Sequence, residues 1–388
     1  MLSGVVVIGC HVNGLGIIRS LARQGIPVIA LYYDERADFA HVSRHVQERV
    51  RVPHPRFEES AFIGVLRANA PRWRGALILE TNDDALIAIA RHRDELIRSY
   101  LVPTPGWEVV RQLIEKPATY RLAAACDVPC PRSWSTETLG LPERASEVTF
   151  PCLVKPVVSH LFVAEFGVKN IRAGDASSLC ATLARCAASS QDVIIQEVIP
   201  GPDANIFQCV MYIDARAESR TTFVLRKLRQ NPPGFGVARV AVSHAVIPEI
   251  ETWTWNMLRR IGYTGIVHSE FKLDDRDGSF KLMEINARLP RANLLAARCG
   301  MNFPLIAGMN LASGDRPSLV RYDESVYWIE LAIDLPVSML NIRSERLSFD
   351  DYARPYRASR KVFADFSRDD LRPFGMRMWN ILAPRGGG

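Results

Sequence analysis

The sequence predicts an α/β protein built around a parallel sheet, and three observations carry that expectation. Over the first hundred residues, short apolar runs alternate with helical patterns, with changes at Gly9, at Gly25-Ile26-Pro27 and at Asn82. The chain has 388 residues, enough for about two or three domains and a core that needs no disulfide or metal to hold it. Apolar residues make up 48 % and charged residues 23 %, the balance of an ordinary globular protein. No apolar run approaches the roughly 18 residues of a membrane-spanning helix. The first residues, MLSGVVVIGCHVNG, lack a basic leader and read as a strand, so neither a membrane protein nor a secreted one is expected.

Each element follows from local pattern. Strands are expected at 5–8, 28–32 and 76–79, with one helix opening at Asn13-Gly14-Leu15-Gly16 and running through Arg23 and another over 85–93. A Pro-rich joint at 102–106 marks the first boundary. A helical stretch over 107–125 is interrupted at Lys116-Pro117. Strands at 152–155, 193–196, 206–213 and 222–225 and a helix at 178–188 come next. Two strand-like runs, 266–273 and 280–285, flank Asp275-Arg276-Asp277-Gly278, a hairpin turn in which Gly278 takes positive φ. Residues 318–388, rich in Arg, Asp and Tyr, are placed only as a C-terminal appendage.

Several motifs carry little chemistry on their own. The eight cysteines contain no C-x-x-C pair, and Cys10, Cys152 and Cys209 fall inside apolar runs. They read as reduced thiols of a cytoplasmic protein. Gly9, Gly14 and Gly16 follow a strand and open a helix, and Asp34 ends the next strand as a ribose-binding acid would. The spacing is G-x-x-x-x-G-x-G, which leaves a tight packing turn as the competing explanation. His41 and His45, at i and i+4, are expected on a helix face. Lys155, at the end of an apolar strand, and Lys116, before Pro117, read either as surface lysines or as ligand contacts.

The hairpin says more. A three-residue loop at 276–278 pairs Asp275 with Ser279, and counting outward sets Glu270 opposite Glu284 and His268 opposite Asn286. Directly opposed carboxylates have Cβ atoms about 4.5–5.5 Å apart and repel. Such a pair is either solvated at the surface or held by a cation. Two carboxylates and an amide oxygen form a hard all-oxygen set of the kind Mg²⁺ takes alongside phosphates.

In order and spacing, Lys116, Lys155-Pro156, the run Gln196-Glu197-Val198-Ile199-Pro200-Gly201-Pro202-Asp203, Glu270, and Glu284-Ile285-Asn286-Ala287-Arg288 resemble the ATP-grasp superfamily. The likeness is to its carboxylate–amine ligases and covers about residues 1–315. It implies a fold that is α/β and α+β, a Rossmann-like pre-ATP-grasp domain followed by a two-subdomain ATP-grasp fold. The implied division is 1–110 for the first domain, 111–190 and 191–317 for the two subdomains, and 318–388 for the appendage. The resemblance gives ATP phosphates to Lys116 and Lys155, and adenine to Gln196 and the backbone of Glu197 and Val198. Ribose falls to Asp203 and the metal, Mg²⁺ with Mn²⁺ as the alternative, to Glu270, Glu284 and Asn286. Arg288 would steady the acyl phosphate and the tetrahedral intermediate.

Two departures stand out. The stretch 157–167 has a single glycine where relatives carry a Gly-rich loop, so Lys169, Arg226, Lys227 and the loop 231–236 are the candidates for cover and charge. His268 stands where related ligases place an arginine, and is read as substrate-orienting or structural. The implied activity is ATP-dependent joining of a small-molecule carboxylate to an amine or amino acid, in the cytoplasm, by a homodimer. An ATP-dependent carboxylase, a nicotinamide-dependent oxidoreductase using the Gly9–Gly16 turn, and a non-catalytic ATP-binding regulator are the alternatives. The formal charge is +6, yet no basic run with interleaved aromatics points to nucleic acid or a membrane surface.

Overall fold

The structure, a computed structural model, describes residues 2–135, 147–157, 162, 165–168, 170–315, 321–341 and 348–383. Its first sheet joins β1 (Val5–Ile8), β2 (Val28–Tyr32), β3 (Glu48–Arg51) and β4 (Leu77–Glu80), all parallel, in the order β3-β2-β1-β4. Helices α1 (Val12–Ala22), α2 (Glu59–Asn69) and α3 (Asp83–Arg91) cover it. β1 and β4 are buried at every position, which is why Val5–Ile8 and, up to Glu80, β4 read as apolar runs. β3 escapes sequence reading because, as an edge strand of sequence ERVR, it alternates half-buried with exposed charge.

The Gly-rich turn is explained by packing. Gly9 has φ of +84°, and a Cβ on Gly14 would lie 2.3 Å from the Gly9 carbonyl oxygen. Asp34 accepts from the backbone N–H groups of Arg36 and Ala37, closing its own turn. His41 and His45 share no helix: His41 sits in the short turn Phe39–Val42, stacked on Tyr32 at 4.1 Å. His45 lies 3.7 Å from Asp369.

At Gly16 two effects compete. Alanine there gains about 1 kcal/mol of helix propensity. Its Cβ, however, would stand 2.4 Å from Asn293 Oδ1, and Asn293 is pinned by donating to Asn13 and to the Pro290 carbonyl. Overpacking costs about 1–3 kcal/mol, so G16A is expected to lower the denaturant midpoint; an unchanged midpoint would show that Asn293 gives way.

A second, antiparallel sheet runs β5-β8-β6-β7, from β5 (Ser133–Ser135), β6 (Cys152–Pro156), β7 (Ile171–Ala173) and β8 (Val193–Glu197). β8, expected to open the third segment, belongs to this sheet. The third sheet has seven strands in the order β13-β12-β9-β10-β11-β14-β15. Its members are β9 (Ile206–Ile213), β10 (Arg220–Asn231), β11 (Val237–His244), β12 (Gly265–Leu273), β13 (Phe280–Asn286), β14 (Tyr327–Ile329) and β15 (Lys361–Phe363). Residues beyond 318 therefore supply two strands to this sheet rather than trailing from it. They also dock on the first domain, where Arg19 of α1 and Asp370 form a fully buried ion pair. One apolar core unites α1 with a face of the third sheet through Leu15, Val210, Phe223, Trp328 and Phe303. A second core lies on the sheet's other face, under the helix Pro248–Arg260. No helix among the described residues is long and apolar enough to cross a membrane.

Candidate active site

The hairpin β12–β13 builds the site's floor, by a route that differs from the expected one. Asp274, not Asp275, faces Ser279: its N–H donates to the Ser279 carbonyl at 2.9 Å. The loop thus has one residue more than expected, with Gly278 at φ +68°. A bulge between Glu270 and Phe271, opposite Met283, takes the extra residue back. Beyond it Glu270 faces Glu284 and His268 faces Asn286, as the sequence predicts.

The opposed carboxylates differ in surroundings. Glu270 is buried, forms an ion pair with Lys227 at 2.6 Å and accepts from Gln208 Nε2 at 2.8 Å, both on Oε2. Glu284 is exposed on the floor and accepts from Asn286 Nδ2 at 3.1 Å on Oε1. The protein around Glu284 strips part of its hydration, although its side chain still reaches solvent, and so works to raise its pKa; Lys227, His268, Asn286 and Arg288 outweigh this and hold the carboxyl below its ordinary value. One oxygen of each carboxylate is left for a cation, and with the Asn286 amide the donor set is hard and all-oxygen. Among the described residues no group of three His, Cys, Asp or Glu could hold a metal by itself. A divalent ion here would draw its other ligands from outside the chain, as Mg²⁺ does when phosphates complete its shell.

The expected lysines come together on one side. Lys155 of β6 donates to Gln196 Oε1, and Lys116 donates to the Pro156 carbonyl at 3.1 Å. Burial lowers the Lys155 pKa to about 8, with Lys116 pushing the same way and Glu284 and Glu270 opposing. Lys116 is also lowered by burial, against Glu284 and Asp83. The residues expected around adenine and ribose are more committed. Gln196 is fully buried, and its Nε2 also donates to Tyr120 and Ser133. The N–H groups of Glu197 and Val198 donate to the Arg132 and Pro151 carbonyls, and the Glu197 carboxylate takes Arg276 at 3.2 Å. Asp203 accepts from Gln230 twice and from the Gly234 N–H at 2.9 Å, clamping the loop 231–236.

Alternation along β10 separates the next pair: Lys227 turns to the carboxylates, while Arg226 donates to the Ala204 carbonyl over the Phe207 ring. Arg288 donates to Asp83 Oδ1 at 2.7 Å and lies 3.4 Å from Asn286 Oδ1. His268 is buried, and its Nδ1 meets the Arg288 carbonyl at 2.8 Å. Burial, with Arg288, lowers its pKa and keeps it neutral, so Nδ1–H is the donor. That is a positioning place under Arg288.

Sequence reasoning missed Gln208, Tyr120 and Asp83. Gln208 had a signal, a lone amide in the apolar strand IFQCVMYI. Asp83 had none, because it arrives from the first domain at the start of α3, 205 residues away along the chain. Lys169 and most of 158–164 lie outside the described residues. Two pockets of about 290 and 450 Å³ open beside Trp107 and beside Arg121, and neither is lined by the opposed carboxylates.

No family model matches the sequence. A D-aspartate ligase of Enterococcus faecium (strain Aus0004) is 24% identical over 314 residues, 76% of this chain and 74% of that protein. The crystal structure of an L-amino acid ligase from Bacillus licheniformis superposes with a TM-score of 0.60 at 19% identity, covering 80% of this chain and 74% of that one. The biotin carboxylase domain of Hydrogenobacter thermophilus 2-oxoglutarate carboxylase, solved as a dimer with MgADP, ADP and bicarbonate, gives a TM-score of 0.65 at 14% identity over 84% of this chain and 74% of that one. The chain thus resembles a D-aspartate ligase in sequence and shares its fold with an L-amino acid ligase and a biotin carboxylase domain.

Proposed function

We propose that the chain activates a carboxylate as an acyl phosphate at the expense of ATP and joins it to the amine of an amino acid, releasing ADP and phosphate. The observation that carries this reading is the Glu270–Glu284 pair, with Asn286 on the same face and Lys227 at 2.6 Å from Glu270. A carboxylate is a poor electrophile. Its oxygen attacks the γ-phosphorus, ADP leaves, and the mixed anhydride then loses phosphate to the attacking amine, which gives up a proton. The chain's task is positioning and charge neutralisation, with no protein nucleophile.

In this reading Lys116 and Lys155 hold the phosphates, and Arg288, fixed by Asp83 and by the His268 bond to its carbonyl, faces the acyl group. Lys227 neutralises the transferring phosphoryl group from the carboxylate side. Glu270, Glu284 and Asn286 would hold Mg²⁺, which supplies charge neutralisation at the phosphates when bound. With the N–H groups of Glu197 and Val198 engaged, adenine would meet that strand through its remaining polar groups. Asp203 would reach ribose only by sharing the oxygens that hold Gln230 and Gly234. The enzyme is proposed to work in the cytoplasm, as a homodimer.

A second reading, carboxylation by bicarbonate, draws on the superposition with a biotin carboxylase domain. The test is ADP release from MgATP with pooled amino acids and amines, D-enantiomers included, with and without bicarbonate. Amine-dependent release is expected; release that needs bicarbonate and no amine would transfer the assignment to a carboxylase.

A further inference from the structure

Two helices of the C-terminal segment are built inside out. The helix Leu331–Asn341 turns Ala332, Asp334 and Ser338 inward, and the helix Arg372–Leu382 turns Arg377 inward, all of them buried. Asp334 takes Arg239 at 2.7 Å, Arg229 at 2.8 Å and the Tyr356 hydroxyl at 2.6 Å. Arg377 pairs with Glu330. A surface helix ordinarily keeps its charges outside and lays its apolar stripe on the core. Here ion pairs hold the inward faces, and the apolar stripes face solvent.

Both stripes follow helical spacing. Leu371, Gly375, Trp379 and Leu382 recur at i, i+4, i+8 and i+11 and are all exposed, Trp379 to 72% and Leu382 to 73%. On the other helix Leu335 and Met339, at i and i+4, are exposed, Met339 to 78%. The two helices pack side by side. Of the fifteen large apolar side chains exposed among the described residues, seven lie on this pair, Leu371 at the cap included. At on the order of 100 Å² each, they exceed the roughly 300–600 Å² patch of an ordinary monomer and approach the roughly 800 Å² that each partner of a stable dimer buries.

We propose that this face meets a second copy of the chain across a twofold axis. The inference rests on the homodimer proposed above, for which it names the contact, and not on the ligase chemistry. An isologous interface needs a surface complementary to itself. Gly375 stands between Leu371 and Trp379 on the exposed stripe, and a Cβ there would meet nothing within 4 Å. One helix thus offers a notch and two knobs to an antiparallel copy of itself. Charge beside the face is balanced as well. On the helix Phe349–Arg357, tied to Asp334 by Tyr356, Asp350 pairs with Arg357 at 3.1 Å and Asp351 with Arg354 at 2.7 Å. An anionic membrane or a nucleic acid would call for an excess of cations there. A second copy does not.

Sedimentation equilibrium of the full chain, with denaturant midpoints read at low and high protein concentration, tests the face. The wild type is expected to dimerise with a Kd of about 1 μM or tighter and to gain stability with concentration. Trp379→Glu, at a position exposed in the single chain, should weaken association by about a hundredfold or more and abolish that gain. Met339→Glu should do the same from the neighbouring helix, which keeps the test decisive if W379E folds poorly. A dimer whose Kd stays within about threefold in both variants overturns this face and leaves the homodimer standing. A wild type that stays monomeric at about 100 μM overturns both. Pelleting of such a monomer with vesicles of phosphatidylcholine and phosphatidylglycerol would pass the face to lipid.

Discussion

Glu284→Gln is expected to lower the turnover of MgATP by about a thousandfold while leaving the fold intact. Glutamine keeps the shape of the side chain and its bond to Asn286 but removes one of the two opposed charges on the hairpin. The loss should appear in kcat and as a weaker dependence on Mg²⁺. Its stability effect follows from the sign of the pKa shift. The carboxyl is held below its ordinary value, so its charge stabilises the folded state above the unfolded pKa and ceases to do so as pH falls through the folded one. For a carboxylate exposed on the cleft floor that contribution is at most about 1 kcal/mol. Glu270→Gln should be equally inactive and far less stable, since it strands the ammonium of Lys227, 5% exposed, without its counter-charge. Leaving a buried charge unpaired costs about 3–5 kcal/mol. Activity of E284Q within tenfold of the wild type, or equal stability of the two variants, would remove the metal-side assignment.

This contrast also separates what the sequence makes legible from what it does not. Period-two counting from a glycine turn put Glu270 against Glu284, although it erred by one residue at the loop and missed the bulge at Met283 that cancels the error. The apolar strands of the first sheet are readable because both faces are covered, and the charged edge strand β3 is not, because only one is. β11, the hairpin partner of β10, is hidden by the Pro-Pro-Gly-Phe-Gly loop that clamps onto Asp203. Contacts between distant segments leave no local trace at all. The bonds of Asp83 to Arg288, Asn13 to Asn293 and Arg377 to Glu330 decide how the first domain and the C-terminal segment sit on the cleft. No spacing rule yields them. The same holds for Gly14 and Gly16, whose nucleotide-like pattern is a record of close helix packing. The net charge of +6 is as indirect: the proposed chemistry draws on where Lys227, Lys155 and Arg288 stand around the opposed glutamates, not on the sum.

Lys155→Gln should weaken nucleotide binding and, at the same time, make the nucleotide-free protein more stable. In the folded chain burial, aided by Lys116, brings the Lys155 pKa to about 8 from its ordinary 10.5. Keeping that ammonium protonated at neutral pH therefore costs on the order of 3 kcal/mol. Glutamine removes the charge and retains a donor toward Gln196 Oε1, the present partner of Lys155, so that little of the hydrogen bond is forfeited. The unfolded chain holds its lysine proton between about pH 8 and 10.5 where the folded chain has lost it. Wild-type stability accordingly rises with pH across that window, and the advantage of K155Q should be full at pH 7 and fade toward pH 10. Triphosphate reverses the balance, because an anion beside Lys155 restores the proton that burial drives off. Wild-type affinity for MgATP should then fall as pH rises above about 8, where binding must take up a proton. In K155Q that slope should vanish, with affinity at neutral pH about 10- to 100-fold weaker, the worth of a hydrogen bond to a charged group. Denaturant midpoints and nucleotide titrations at pH 7 and at alkaline pH measure both quantities. A variant no more stable than wild type at pH 7, or one that keeps the pH dependence of MgATP affinity, would place the ammonium away from the phosphates. The outcome expected instead is that of a side chain held against its own solvation preference for the sake of an anion that arrives later.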